Sequence, residues 1–163
     1  NPFKYFIKRY YSVHLKPSEL KRVLNLWLPF IFNRIKITHV SDDFKQIDVR
    51  LKLSFWNRNP GKALWGGAIF SAADSFFPIM LKQNALLNGI KTDFFTKSTN
   101  VSYLKPSKTD LMFNFNLSDD EVANMVEILN RDGKYQEWHT VYGIDKNHSK
   151  CVKVKIQPYL RIR

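Results

Sequence analysis

The pattern of apolar and polar residues predicts an alternation of amphipathic helices and half-buried strands. After Pro17, apolar residues recur at helical spacing with Ser18 as the N-cap, which predicts a first helix that ends within residues 29–33. A strand is predicted over residues 34–40. Residues 47–53 alternate strictly between apolar and polar, as in an antiparallel strand with one buried face.

A second, more apolar helix is predicted from Gly67 to about residue 87, with a kink at Pro78. Ser118 and Glu121 match a capping box and predict a third helix that ends near residue 130. The remaining predicted strands cover residues 91–96, 99–105, 110–117, 135–144 and 150–162, with a hairpin turn at 145–148. Because one long apolar helix needs a sheet around it, we predict a single α+β domain.

Composition narrows the class of protein without selecting one. The 163 residues carry a net charge of +12 and a pI near 9.8. This indicates an anionic partner, and nucleic acid, an anionic membrane and a phosphate-rich cofactor all satisfy it. Cys151 is the only cysteine, so we expect a reducing compartment and a cytoplasmic location. The longest apolar stretch is too short, and too interrupted by Asp74 and Pro78, for a transmembrane helix.

Residues 1–16 form a separate extension in which basic residues lie among aromatic ones. They lack an uninterrupted apolar run and a small-residue cleavage site, which argues against a signal peptide. A helix packed on the domain or on a partner subunit is the favoured interpretation, and a membrane-surface helix is the alternative. The predicted domain proper covers residues 17–163.

The most informative segment is the polar, turn-forming run from Asn57 that ends in Gly66 and Gly67 and opens the long helix. Asp74 follows seven residues after the second glycine. A helix N-terminus holds unpaired backbone N–H groups, and glycine lets a ligand approach them. Such donors can stabilise an oxyanion. Burying a carboxylate in an apolar helix costs free energy, so Asp74 is expected to have a specific role or partner.

With these residues in place, the chain resembles hotdog-fold proteins, in which a curved antiparallel sheet wraps one central helix. It is most similar to the phenylacetyl-CoA thioesterase-like branch, and within it to a subgroup of uncharacterised bacterial proteins. The family pattern is an Asn, five residues, His-Gly-Gly and an acid seven residues later. The matching residues here are Asn59, Trp65-Gly66-Gly67 and Asp74, so a tryptophan replaces the histidine. The segments 56–59, 103–106 and 117–121 are similar to segments of proteins in that subgroup.

The resemblance implies that a thioester carbonyl binds the Gly66 N–H, with Gly67 and Asn59 in the same site. Asp74 then acts as nucleophile or as general base for water. Gly66 and Asp74 are eight residues apart on one helix, about 12 Å along its axis, and cannot both contact one carbonyl. We therefore expect a site shared by two subunits, in a homodimer or a dimer of dimers.

Each candidate also has a structural interpretation. Asp74 could be hydrogen-bonded to a neighbouring loop or lysine, Asn59 could shape the turn before Pro60, and the glycines could serve close packing of helix and sheet. The four histidines lack the spacing of metal ligands, so no metal is expected.

The function that the resemblance implies is an acyl-CoA or acyl-carrier-protein thioesterase, with coenzyme A as part of the substrate and no separate cofactor. Candidate cations for the coenzyme phosphates are Arg58, Lys62, Lys105 and Lys108. The absent histidine keeps a non-catalytic acyl-CoA-binding protein as the alternative. A nucleic-acid or membrane binder is a third class; nucleic acid is not the expected partner, whereas membrane contact through residues 1–16 stays open.

Overall fold

The computed structural model describes residues 14–163. The helices are α1 (Pro17–Asn25), α2 (Leu28–Asn33), α3 (Gly66–Ala73), α4 (Phe76–Leu87) and α5 (Asp119–Asp132), with a 3-10 helix at Phe55–Asn57. The strands are β1 (Ile35–Val40), β2 (Gln46–Leu51), β3 (Thr92–Tyr103), β4 (Leu111–Asn116), β5 (Lys134–Tyr135), β6 (His139–Ile144) and β7 (Lys150–Ile162). Most of the predicted N-terminal extension, residues 1–13, lies outside the described residues.

All strand pairs are antiparallel and form one seven-stranded sheet in the order β1-β2-β4-β6-β7-β3, with β5 paired to β7. Helices α3 and α4 pack on its inner face. Alternate residues of β2, β4 and β7 are buried against them, such as Val49 on β2, Phe113 on β4 and Val154 on β7. The predicted α+β architecture, a sheet around one long apolar helical segment, is confirmed.

The long helical segment is interrupted at residues 74–75, one turn before Pro78. Proline has no N–H, so the carbonyl of Asp74 loses its helical partner. The Thr96 hydroxyl of β3 donates to that carbonyl at 3.2 Å instead. The single kinked helix predicted from the sequence is thus two helices, and the effect of Pro78 is seen at Asp74.

Two strand predictions had the wrong boundaries, because bulges and loops are not visible in the periodicity. The two strands predicted at residues 91–96 and 99–105 are one strand, β3 (Thr92–Tyr103), with a bulge between Thr96 and Ser98. Residues 135–144 are divided between β5 and β6.

The N-terminal helix also departs from the prediction. It begins directly after Lys16 and ends at Asn25, and α2 follows as a separate helix. Ser18 therefore lies within α1 and is not its N-cap. The predicted capping box of α5 is confirmed, since the Glu121 N–H donates to Ser118 Oγ at 3.1 Å and the Ser118 N–H donates to Glu121 at 2.8 Å.

The two edges of the sheet are β1 and β3. β3 is twelve residues long and pairs only with β7 within the described part of the chain. A long unpaired edge is a template for pairing with another strand. Between residues 14 and 163, no helix combines the length and the apolar character needed to cross a membrane.

Candidate functional site

The start of α3 is fixed in place by backbone hydrogen bonds from the loop before it. The Leu64 N–H donates to Ser107 C=O and the Trp65 N–H donates to Asn57 C=O, each at 2.8 Å. Trp65 is the N-cap residue, and its carbonyl accepts from the N–H groups of Ala68 and Ile69. Asn57 is itself buried and ties the 3-10 helix to the carbonyls of residues 33 and 52. The helix N-terminus is therefore held rigidly.

The N–H groups of Gly66 and Gly67 have no hydrogen-bond acceptor among residues 14–163. This is the expected state of the first turn of a helix. Neither glycine is fully buried. The two N–H groups are thus available to an oxygen atom of a ligand, where the partial positive charge of the helix end favours developing negative charge.

Both glycines are covered closely by aromatic side chains. A Cβ on Gly66 would lie 2.8 Å from the hydroxyl of Tyr103, and a Cβ on Gly67 would lie 2.5 Å from the Trp65 ring. The Tyr103 hydroxyl also donates to Gly66 C=O at 3.2 Å. Close packing thus accounts for the choice of glycine here, and it leaves the N–H groups available.

A cavity of about 470 Å³ lies beside this helix end, between α3 and the segment that follows β3. Of the predicted site residues, it brings together Asn59, Gly66 and Lys105. Asn59 also shapes its own turn, because its side-chain oxygen accepts from the Ala63 N–H at 3.2 Å. The structural and the functional interpretation of Asn59 are therefore compatible.

Asp74 is half-buried at the C-terminal end of α3 and is held by β3. The Thr99 hydroxyl donates to its Oδ1 at 2.7 Å. One carboxylate oxygen thus has a positioning partner on the sheet. Asp74 does not line the cavity at Gly66, and within one chain the two residues lie at opposite ends of α3.

The four predicted coenzyme-binding cations have different surroundings. Lys105 lines the cavity and pairs with Asp145 at 3.0 Å. The pKa of Asp145 falls to about 2, chiefly because its carboxylate accepts the Ser149 N–H and next because of Lys105. Arg58 lies over the Phe55 ring, 5.3 Å from its centroid. Lys62 and Lys108 are exposed.

The sequence assigned no role to three residues that the structure places at the site. Tyr103 covers Gly66, Thr99 holds Asp74, and Ser107 is a buried hydroxyl in the cavity wall next to the Cys151 thiol. The bulge in β3 shifts which of its side chains face α3, so the plain alternation of that strand could not identify Thr99 or Tyr103.

Cys151 and His139 have structural surroundings. Cys151 is buried, and burial raises the pKa of its thiol. His139 is buried between Phe77, on which it stacks, and the Tyr135 hydroxyl, 2.9 Å from its Nε2. In the region from residue 14 onwards, no three His, Cys, Asp or Glu side chains are grouped as metal ligands would be.

An antiparallel sheet around a central helical segment is the hotdog fold, and the comparisons with solved structures agree with it. The chain superposes on a protein from Pseudomonas aeruginosa described as a probable thioesterase with a TM-score of 0.77 and 15% identity, over 92% of this chain and 99% of the other. It superposes on a thioesterase from Haemophilus influenzae with a TM-score of 0.65 and 10% identity, over 94% and 95% of the two chains.

The PaaI protein of Escherichia coli, from the phenylacetic acid degradation operon, gives a TM-score of 0.62 and 14% identity, over 90% of this chain and 92% of PaaI. At these identities the likeness establishes the fold. The curated proteins compared with the chain include no match. Residues 18–160 match the domain of unknown function DUF4442, and the chain belongs to that family.

Proposed function

We propose that this protein is a thioesterase that hydrolyses acyl-CoA or acyl-carrier-protein thioesters at a site shared by two subunits. The observation that supports it most is the pair of available N–H groups, at Gly66 and Gly67, beside a cavity of about 470 Å³. The thioesterase-like proteins that share the fold support the reaction class.

In the proposed reaction, the thioester carbonyl oxygen accepts a hydrogen bond from the Gly66 N–H. Negative charge grows on that oxygen during attack, and the helix end stabilises it. Asp74 of the other subunit takes a proton from water, which attacks the carbonyl carbon. The C–S bond then breaks, and Asp74 gives that proton to the leaving thiolate, which departs as the thiol. In the second route, the Asp74 carboxylate itself attacks the carbonyl carbon and the C–S bond breaks, expelling the thiolate. Water then hydrolyses the resulting anhydride, which releases the acid and restores the Asp74 carboxylate.

A homodimer is part of the proposal, because about 12 Å of helix separates Gly66 from Asp74 within one chain. The open edge of β3 offers twelve residues for antiparallel pairing with a second copy. Exposed apolar side chains lie near this edge and the start of α3, namely Trp65, Phe70, Tyr103 and Leu104. Pairing would bury them and would place Thr99, and with it Asp74, near the partner.

The coenzyme phosphates require cations, and Lys105 is the candidate nearest the cavity. Lys108 follows it on the same segment, and Arg58 and Lys62 lie on the loop before α3. A substrate phosphate would compete with Asp145 for the Lys105 ammonium group. A cytoplasmic location belongs to the same proposal, supported by the single unpaired cysteine.

The test is hydrolysis of a panel of acyl-CoAs by the wild-type protein and by Asp74→Asn. Asparagine keeps an oxygen that accepts from Thr99 and removes only the charge. We expect kcat to fall about 100-fold or more, as is usual on loss of a general base. Asp42→Asn, in the exposed turn between β1 and β2, is the matched control and should keep full activity. Turnover that survives in Asp74→Asn would refute the assigned role.

Trp65 favours a second candidate, a non-catalytic acyl-CoA-binding protein. Its ring packs on Gly67 and is 56% exposed, at the position where the family pattern has a polar histidine. This candidate predicts that acyl-CoA raises the melting temperature while no thiol is released. Thiol release on addition of acyl-CoA would exclude it.

A further inference from the structure

A group of large apolar side chains lies exposed at the β1 end of the molecule. It is formed by Leu26, Leu28, Ile31, Phe32, Phe55 and Trp56, which are 42% to 80% exposed and are together called the apolar patch. Helix α2 packs against the 3-10 helix, which joins the two halves of the patch. Contiguous exposed apolar surface of this kind usually marks an interaction site.

A basic groove adjoins the apolar patch. Its cations are Arg34, Lys36, Arg50 and Lys52, around a cavity of about 530 Å³ that Ile31 of the patch also lines. Lys36 and Arg50 are direct cross-strand neighbours, an arrangement of like charges that costs stability. Arg50 pairs with Asp110, whereas Lys36 and Lys52 have no acidic partner among residues 14–163. The groove therefore suits an anion that would compensate these charges.

The sequence around these features is depleted of acids. Residues 20–41 and 49–73 contain eight lysines and arginines and no aspartate or glutamate. Aromatic side chains beside cations, without acids, are typical of proteins that insert into the headgroup region of anionic bilayers. Arg58, stacked on the exposed Phe55 ring, shows the same combination.

Other occupants fit less well. In an isologous contact a second copy would place the same cations opposite one another, which is unfavourable. Four of the six patch residues lie on or beside α2, which packs on β1, at the other end of the strand order from the β3 edge through which we propose dimerisation.

We propose that the apolar patch and the basic groove together form a docking surface for an anionic phospholipid bilayer. The patch side chains enter the interfacial region, and the groove cations bind phosphate headgroups. No residue of the patch or of the groove lines the cavity at Gly66, and the proposal does not depend on the reaction there.

The test is co-sedimentation of the full chain with vesicles of phosphatidylcholine, with or without about a quarter of phosphatidylglycerol. We expect binding to the anionic vesicles that weakens with salt. The patch variant Phe32→Ser/Trp56→Ser and the groove variant Lys36→Gln/Lys52→Gln should each weaken it about tenfold or more. Matched controls are Trp138→Ser, at a half-exposed tryptophan, and Lys153→Gln/Lys155→Gln on β7, and both should change it less than twofold.

Three outcomes would overturn the proposal. One is that the wild-type protein does not sediment with anionic vesicles. Another is that the β7 control weakens binding as much as the groove variant, which would indicate general attraction to the positive charge. The third is that the patch variant, folded by its melting curve, lowers the mass found by light scattering, which would make the patch an interface between copies. If the patch variant does not fold because of Trp56→Ser, the double variant Leu28→Ser/Phe32→Ser takes its place in the test.

Discussion

Trp65 and Tyr103 determine what the two glycines at the start of α3 can do. Their rings lie so close that a Cβ at either glycine would overlap them, yet they leave both N–H groups unpaired. The half-exposed Trp65 ring lowers the local polarity beside these donors, which strengthens a hydrogen bond to an anionic oxygen. Trp65, which stands where the family pattern has a histidine, therefore lowers the polarity of this site and leaves the two N–H groups without an acceptor among residues 14–163.

His139 gives the fold a dependence on pH. Burial lowers the pKa of its imidazole, while Glu121, 3.3 Å from Nδ1, opposes the shift only in part. In the unfolded chain its pKa is about 6.5. Above that value both states are neutral. Below it the unfolded state binds the proton first, so the free energy of unfolding should fall as the pH drops below about 6.5.

Urea unfolding of the wild-type protein and of His139→Gln at pH 7.5 and pH 5.5 checks this. We expect the wild-type protein to lose stability between the two pH values and the variant to lose less. His39→Gln, at an exposed histidine of β1, is the control and should behave as the wild type. An equal loss in wild type and His139→Gln would show that other groups cause the acid sensitivity.

At the scale of elements, the sequence predicted a helix or strand boundary correctly where contacts between residues close in sequence determine it. The capping box of Ser118 and Glu121 was visible in the sequence and forms as predicted. The N-cap assigned to Ser18 was wrong, because the helix already begins at Pro17, which suits the first helical position. The sequence predicted a kink at Pro78, but the helix is interrupted at Asp74. There the Thr96 hydroxyl, from the distant strand β3, donates to the Asp74 carbonyl that Pro78 leaves without a helical partner. Tertiary contacts of this kind leave no periodic signal.

The two serines permit a matched comparison. Ser118→Ala removes the hydrogen bond to the Glu121 N–H and should cost about 1 kcal/mol in the free energy of unfolding. Ser18→Ala lies within α1, where alanine is the better helix former, and should cost nothing. Urea denaturation measures both. Equal losses in the two variants would contradict the assigned caps.

At the scale of the whole molecule, the sequence predicted the α+β class, and the resemblance predicted the site that Gly66, Gly67 and Asp74 would form. The structure confirms the fold and brings Asn59, Gly66 and Lys105 to one cavity. Helix geometry alone predicted that Gly66 and Asp74 of one chain lie about 12 Å apart, and the structure has them at opposite ends of α3; that two subunits share the site stays a prediction. We propose a second copy of the chain as the partner of the β3 edge, and a lipid surface as the partner of the apolar patch and basic groove beside β1.

The composite site makes a quantitative prediction for mixed dimers. Asp74→Asn and Gly66→Val should each be inactive alone, the second because its side chain blocks the N–H and displaces only the end of Tyr103. When the two variants are mixed and refolded, half of the dimers contain one of each. One of the two sites in such a dimer has both Gly66 and Asp74, so activity should return to about a quarter of the wild-type value.

The acyl-CoA hydrolysis rate of this mixture is the most direct test of a site shared by two subunits. Recovery to about a quarter is the result we predict. A mixture that stays inactive, although light scattering shows that both variants dimerise, would contradict it, and so would full activity of either variant alone.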